Sequence, residues 1–307
     1  MRQQQISVLP RTATLFATAF LACSALAEPV DRLPAYIIEL PDSVADVYVA
    51  DTGASTFLRY ANDRGGLRLV GESYMSIGQN GVGKQRAWDR RTPLGIYFVV
   101  DQLDTTRMHE KYGIAAFPLD YPNEWDRQNR RGGDGIWVHG VEPGPDQRPA
   151  FDTDGCIALP NEDLDFLLEK FIPLTTPVIV TREETYADPD EIEALRKALR
   201  RAIATWQGSI EAGDLHAYLS LYADDFSYRG MARNDWAALK LRAFAGGTAE
   251  LELEDLTLLG DPEDEDLYLS RFRQTTTVEG ETRELMKRLY WRRQPDGSFR
   301  IVAEDNG

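Results

Sequence analysis

The strongest constraint on the fold is a succession of short apolar runs between residues 36 and 100. Tyr36-Ile37-Ile38-Glu39-Leu40, Val47-Tyr48-Val49-Ala50, Phe57-Leu58-Arg59-Tyr60, Leu67-Arg68-Leu69-Val70, Ser73-Tyr74-Met75-Ser76-Ile77 and Ile96-Tyr97-Phe98-Val99-Val100 are strand-length and rich in β-branched and aromatic residues. Asn62-Asp63-Arg64-Gly65-Gly66 reads as a hairpin connection. Many short strands with few helical stretches predict a mainly β domain, a sandwich or open barrel.

The chemistry concentrates in residues 136–161. Ile136-Trp137-Val138-His139-Gly140 reads as a buried strand ending in a histidine, and Thr153-Asp154-Gly155-Cys156 as a tight turn carrying a cysteine. On adjacent elements, these two side chains make a thiol nucleophile and its proton acceptor. Gly140 and Gly155 permit close backbone approach, and the Gly155–Cys156 backbone offers N–H groups for an oxyanion. Thr153 supports the turn. Asn161 reads as the cap of a following helix, with Leu164, Leu167, Leu168 and Phe171 on one face and Pro173 ending it. Val178-Ile179-Val180 closes the domain. The plain alternative for a lone cysteine is a small buried core residue.

The stretch resembles the YkuD-type L,D-transpeptidase family of bacterial cell-wall enzymes. His139-Gly140 and Thr153-Asp154-Gly155-Cys156 match its His-Gly pair and Gly-Cys turn in order. Upstream, Gly83-Lys84 and Asp89-Arg90-Arg91-Thr92-Pro93-Leu94-Gly95-Ile96-Tyr97 match a second family signature. The resemblance covers residues 34–181. It implies a Cys156 nucleophile, a His139 general acid/base, and a Gly140 carbonyl orienting the imidazole. It also places Lys84 and Arg91 beside the cleft as ligands for peptide carboxylates, with solvated loop charges as the plain reading. Cross-linking members carry His before the Gly-Cys pair and Arg or Asn two residues after the cysteine. This chain has Asp154 and Ala158 there. Asp154 is expected at the substrate-binding side of the site, where it opposes thiolate formation unless its carboxylate points away or pairs with a cation such as Lys84 or Arg91.

Two other readings of the same region fail. Gly78-Gln79-Asn80-Gly81-Val82-Gly83-Lys84 lacks the spacing of a phosphate loop, and no Ser or Thr follows Lys84. Cys156 and His139 lack the further ligands a zinc site needs, so no metal and no cofactor are expected. Residues 102–135 are polar and irregular, and Arg127 to Gly135 reads as an exposed loop. His109 reads as a surface histidine.

The first 27 residues read as an export signal. Arg2 and Arg11 precede an apolar segment from Ala13 to Leu26, shorter than the roughly 20 residues of a membrane span. Ala25-Leu26-Ala27 fits a cleavage site, with lipidation at Cys23 as the rival reading. Cleavage there leaves Cys156 as the only cysteine, in an oxidising compartment where it has no partner. The expected location is the periplasm. A formal charge of −16 argues against nucleic acid or an anionic membrane as partner.

A second domain is predicted over residues 188–307. Asp188-Pro189-Asp190-Glu191 opens a helix, Ile192, Leu195, Leu199, Ile203 and Trp206 form its apolar stripe, and Gly208 ends it. Two more helices follow near 215–222 and 235–244, then strands near 249–259, 266–277, 282–293 and 298–303. This predicts an α+β cone. Trp206, the run Gly213-Asp214-Leu215-His216-Ala217-Tyr218-Leu219 and Tyr222-Ala223-Asp224-Asp225-Phe226 resemble the NTF2-like superfamily, and the domain order resembles the Cds6-like subgroup of L,D-transpeptidase relatives. The resemblance implies a protein-binding or dimerisation module. His216 reads as exposed, Asp224 and Asp225 as a turn.

The expected function is an exported, cysteine-dependent L,D-transpeptidase acting on peptidoglycan stem peptides through a thioester. One alternative is an L,D-specific hydrolase that trims stem peptides or detaches a wall-anchored protein, a reading Ala158 favours. The alternative of another class is a non-catalytic peptidoglycan-binding scaffold.

Overall fold

A computed structural model of the protein describes residues 33–64, 66–144, 148–245 and 248–307. The predicted export segment and Cys23 lie outside the described residues. Among the described residues no helix is long and apolar enough to cross a membrane.

The first domain is built on a five-stranded sheet. Its order is Gly66–Tyr74, Thr56–Asp63, Asp46–Asp51, Pro177–Thr181 and Gly95–Phe98. Asp46–Asp51 runs parallel to Pro177–Thr181, with Tyr48 opposite Val178, and the other pairs are antiparallel. The predicted closing strand is thus interior. Every residue of Asp46–Asp51 is buried, so this sheet is covered on both faces. Tyr48, Ala50, Phe57, Tyr97, Val178 and Val180 point into the core of the first domain. Their neighbours Val47, Val49, Leu58, Ile96, Phe98 and Ile179 point the other way. That second face packs on Leu259, Leu267, Leu269, Tyr290 and Val302 of the C-terminal domain. Strand periodicity of two therefore distributes one apolar run between two cores.

The C-terminal domain is a seven-stranded sheet wrapped by three helices, an α+β cone. Helix Pro189–Glu211 starts as predicted, with the Asp188 side chain accepting from Asp190 N at 2.8 Å. Gly208 does not end it. The helix runs on to Glu211, and Gly213 at φ +66° makes the break. Helices Leu215–Ser220 and Arg233–Phe244 follow, and strands Glu250–Gly260, Leu267–Val278, Glu281–Arg293 and Phe299–Asp305 fall close to prediction. Asp224 and Asp225 lie exposed on strand Tyr222–Tyr228 rather than in a turn.

One strand differs from expectation. Ile37–Glu39 joins no sheet of the first domain; it pairs with the edge of Glu250–Gly260, with Leu258 opposite Glu39. Ile38 enters the C-terminal core while Ile37 enters the shared core. A strand that precedes the first domain's sheet in sequence thus completes the sheet of the second domain. Polar groups also cross the interface. Buried Arg288 bridges Asp120 of the first domain and Asp305 of the second, the latter at 2.5 Å. Glu124 Oε1 accepts from Arg229 N at 2.6 Å.

Candidate active site

The predicted histidine strand is Trp137–His139, the centre of a three-stranded sheet with Ala116–Pro118 and Ile157–Ala158. Ile157 lies opposite Val138 and Ala158 opposite His139, in parallel register. The residues that follow the cysteine are therefore held beside the histidine. Gly140 is required for this return. A Cβ there would sit 2.2 Å from Asn161 Oδ1 and 3.1 Å from Ile114 N. Asn161 does not cap its helix, whose cap position is Pro160 without a side-chain hydrogen bond. Instead the Asn161 amide accepts from Val141 N at 3.0 Å and donates to Val141 O at 2.7 Å. It clamps the segment leaving His139. The helix, Asn161–Leu167, also ends well before Pro173.

The cysteine turn is fixed by two threonines. Thr153 Oγ1 donates to Cys156 O at 2.7 Å and accepts from Gly155 N at 3.1 Å. Buried Thr92 donates to Gly155 O at 3.0 Å and accepts from Gly78 N at 3.0 Å. Gly155 has φ +127°, and a Cβ there would lie 2.7 Å from Arg91 O. The expected pair of oxyanion donors is thereby reduced. Gly155 N–H is engaged by Thr153, whereas Cys156 N–H has no hydrogen-bond partner among the described residues.

His139 is buried, and its Nδ1–H donates to Gly140 O at 2.5 Å, which leaves Nε2 with the lone pair. The imidazole stands edge-on to Tyr112, with ring centroids 5.3 Å apart. Burial pushes its pKa down to about 4, against the opposing Gly140 hydrogen bond. Cys156 is half-buried, and its thiol donates to Gly135 O at 3.3 Å. Burial pushes the thiol up to about 11; Asp154 adds to the rise, while the Trp137 N–H and Lys111 oppose it. Between those values both groups are neutral. The resting pair is a thiol and an imidazole, not an ion pair.

This charge state has a measurable consequence. At pH 7 the thiolate fraction is on the order of one in ten thousand. Alkylation of Cys156 by iodoacetamide should therefore be slow at neutral pH and rise about tenfold per pH unit, without a plateau below pH 10. A plateau near pH 8, read by intact-protein mass, would show an ordinary or activated thiol.

His139 and Cys156 line one cleft of about 560 Å³. Lys84, Arg90, Lys111 and Arg148 contribute its cations; Asp134, Asp152 and Asp154 contribute its carboxylates. The lining thus carries four cations against three carboxylates, and Lys84 and Arg148 are ion-paired, to Asp89 and to Asp152. Lys84 lines it as expected, but the ammonium is buried and bound to Asp89 Oδ1 at 2.9 Å. Arg91 is not among the lining residues; its Nη1 donates to Val82 O at 2.9 Å, and its carbonyl abuts Gly155. Asp154 pairs with neither. Its partners are Arg90 at 3.7 Å and Lys111 at 3.9 Å. Lys84 is turned to Asp89 because that carboxylate also organises the loop backbone, accepting from Gln85 N and Arg86 N.

Residues 102–135 contain more order than their polarity predicts. The turn Glu110–Tyr112 is capped by His109, whose Nδ1 accepts from Lys111 N at 3.1 Å. This turn carries Lys111 and Tyr112 to the cleft. Helix Glu124–Gln128 replaces part of the predicted loop, held by reciprocal Asn123 and Asp126 hydrogen bonds. Trp88, 94% exposed, stands at the cleft with φ +64°. Thr92 and Arg90 sit within the upstream signature, and Tyr112 is one of the aromatics of the polar stretch that sequence offers as a substrate contact; nothing in the sequence distinguished Lys111 or Gly135. His216 is exposed on its helix. Among the described residues no group of three or more side chains is arranged to hold a metal.

A two-faced β-sheet domain that brings a cysteine turn beside a histidine strand, followed by an α+β cone, defines the architectural class: a mainly β domain joined to an α+β module. Residues 45–180 match the L,D-transpeptidase catalytic domain family, YkuD, and residues 198–305 match the Cds6 C-terminal NTF2-like domain. The chain is a YkuD-type domain followed by a Cds6-type NTF2-like domain. Among solved structures it is similar to Bd1075 of Bdellovibrio bacteriovorus, with TM-score 0.75 and 22% identity over 90% of this chain and 98% of that one. It is also similar to the helical cell shape determining protein Pgp2 of Campylobacter jejuni, with TM-score 0.75 and 24% identity over 88% and 95%. At these identities the likeness is one of fold. No curated protein sequence matches the chain.

Proposed function

We propose that this protein is an exported, cysteine-dependent L,D-transpeptidase acting on peptidoglycan stem peptides. The observation that supports this best is one cleft holding the Cys156 thiol and a neutral His139 whose Nδ1–H is committed to Gly140 O, so that Nε2 can take a proton. The match of residues 45–180 to the L,D-transpeptidase catalytic family supplies the substrate class.

Since both groups start neutral, proton transfer accompanies attack. Sγ turns from Gly135 O toward the substrate carbonyl and bonds to its carbon, and the thiol proton passes to His139 Nε2. Cys156 N–H faces the developing oxyanion. The imidazolium then gives its proton to the leaving amine, which departs as a thioester forms. An acceptor amine attacks the thioester, Nε2 takes the amine proton, and its return to sulfur restores the thiol. The NTF2-like domain covers the outer face of the five-stranded sheet, whose inner face shares a core with Val138 and Ile157 of the three-stranded sheet at the site.

Incubation with purified peptidoglycan, followed by mass analysis of the muropeptides, tests the reading. New cross-links between third-position residues are expected. Tetrapeptides trimmed to tripeptides, or a released wall-anchored protein, without any new cross-link would make water the acceptor and replace transfer by hydrolysis.

A further inference from the structure

Three separate segments meet at the mouth of the cleft. The loop after Gln79 brings Arg90, the turn Glu110–Tyr112 brings Lys111, and the cysteine turn brings Asp154. The carboxylate of Asp154 lies between the two cations, 3.7 Å from Arg90 Nε and 3.9 Å from Lys111 Nζ. Both distances exceed the 2.7–2.9 Å of a charge-assisted hydrogen bond. All three side chains are about half exposed or more, so the contacts are loose and open to solvent. The cations are nonetheless held in place by other groups. Arg90 Nη1 donates to Gln79 Oε1 at 2.8 Å, and Lys111 Nζ lies 5.0 Å from the centre of the Tyr112 ring. Tyr112 in turn packs on Trp137 and His139. Neither cation depends on Asp154 for its position.

We propose that Arg90 and Lys111 form a binding site for a carboxylate of the substrate, and that Asp154 occupies this site in the free protein. The inference rests on the acyl-transfer reading of the cleft. A ligand carboxylate can approach both cations to hydrogen-bonding distance, which the Asp154 side chain, anchored on the tight turn, does not reach. Asp154 is a tethered competitor: present at high effective concentration but poorly fitted. Binding displaces it into solvent. Removing its charge then strengthens carboxylate binding, whereas removing either cation weakens it. These opposite signs separate a competitor from an organiser.

The first test needs no knowledge of the natural substrate. Iodoacetate and iodoacetamide alkylate the same thiolate, forming an S–C bond and releasing iodide, but only iodoacetate carries a carboxylate. The ratio of their rates at Cys156 in the full chain, at low ionic strength, therefore reports carboxylate attraction and cancels any change in thiol ionisation. Asp154→Asn should raise the ratio at least threefold; Arg90→Gln and Lys111→Gln should each lower it at least threefold. Ratios that stay within a factor of two, or a fall in Asp154→Asn, overturn the proposal.

The second test uses Cys156→Ala protein and a synthetic stem tetrapeptide, as the free acid and as its C-terminal carboxamide, by titration calorimetry. The acid should bind at least tenfold more tightly, with the gap closing in Arg90→Gln and Lys111→Gln backgrounds. Equal binding of acid and amide overturns the proposal. If neither form binds while the alkylation ratios move as expected, the carboxylate site stands and the stem-peptide reading falls.

Discussion

Cys156→Ala should abolish acyl transfer, by roughly a thousandfold or more, because Cys156 is the one thiol among the described residues and it lines the cleft with His139. The fold should survive. The side chain is half-buried, and its polar contacts are weak: a donation to Gly135 O at 3.3 Å and an N–H contact from Trp137. The turn around it is held by Thr153, Thr92 and Gly155, which the substitution leaves alone. Loss of stability should stay under about 1 kcal/mol, a shift of the melting midpoint of roughly 2–4 °C for a domain of this size. Cys156→Ser should be nearly as inactive, since an alcohol is far harder to deprotonate with an imidazole that burial has made a weak base. Muropeptide turnover measured beside calorimetric melting checks both halves. Ordinary turnover by the alanine variant would remove the cysteine mechanism.

Arg288→Ala should destabilise the protein by about 3–5 kcal/mol, because it strands the buried Asp305 carboxylate and takes the cation from half-buried Asp120. Asp120 and Asp305 belong to different domains, and both sit against the same guanidinium. Asp120 has one further contact, accepting from Phe98 N at 2.8 Å, and Asp305 Oδ2 is buried without a partner. Replacing all three charges together, with Met at 288 and Asn at 120 and 305, should recover most of the loss, since a neutral interface strands nothing. Urea unfolding followed by fluorescence and by circular dichroism is the measurement. Because the two domains share a core, a single coincident transition is expected. Two separated transitions in the wild-type protein would show that the shared face contributes little.

Much of this architecture was legible in the sequence because local patterns decide local structure. The strand runs of 46–98, the helix opening at Asp188-Pro189 and the four late strands follow from side-chain periodicity and capping chemistry, which act over a few neighbouring residues. That His139 and Cys156 line one cleft was legible for a related reason: a histidine ending a strand and a glycine-cysteine turn are both short-range patterns. What contacts decide was not legible. The face alternation of Val47-Tyr48-Val49-Ala50 marks a sheet buried on both sides, but only the tertiary structure shows that its second cover is the C-terminal domain. Ile37–Glu39 has the composition of any edge strand, and its sheet was chosen by pairing across more than two hundred residues.

Charge partners followed the same division. The sequence by itself determined that an aspartate would stand beside the nucleophile and that cations lay nearby. Lys84, Arg90 and Arg91 are too close together in the chain for sequence to say which one turns to the cleft. The tertiary structure decided it: Asp89 captures Lys84, the Val82 carbonyl takes Arg91, and Arg90 is left facing Asp154. Lys111 came from a stretch whose polarity hid a capped turn. Ionisation was decided in the same way, since the displacement of His139 to about 4 and Cys156 to about 11 arises first from burial, which depends on packing that no local pattern specifies.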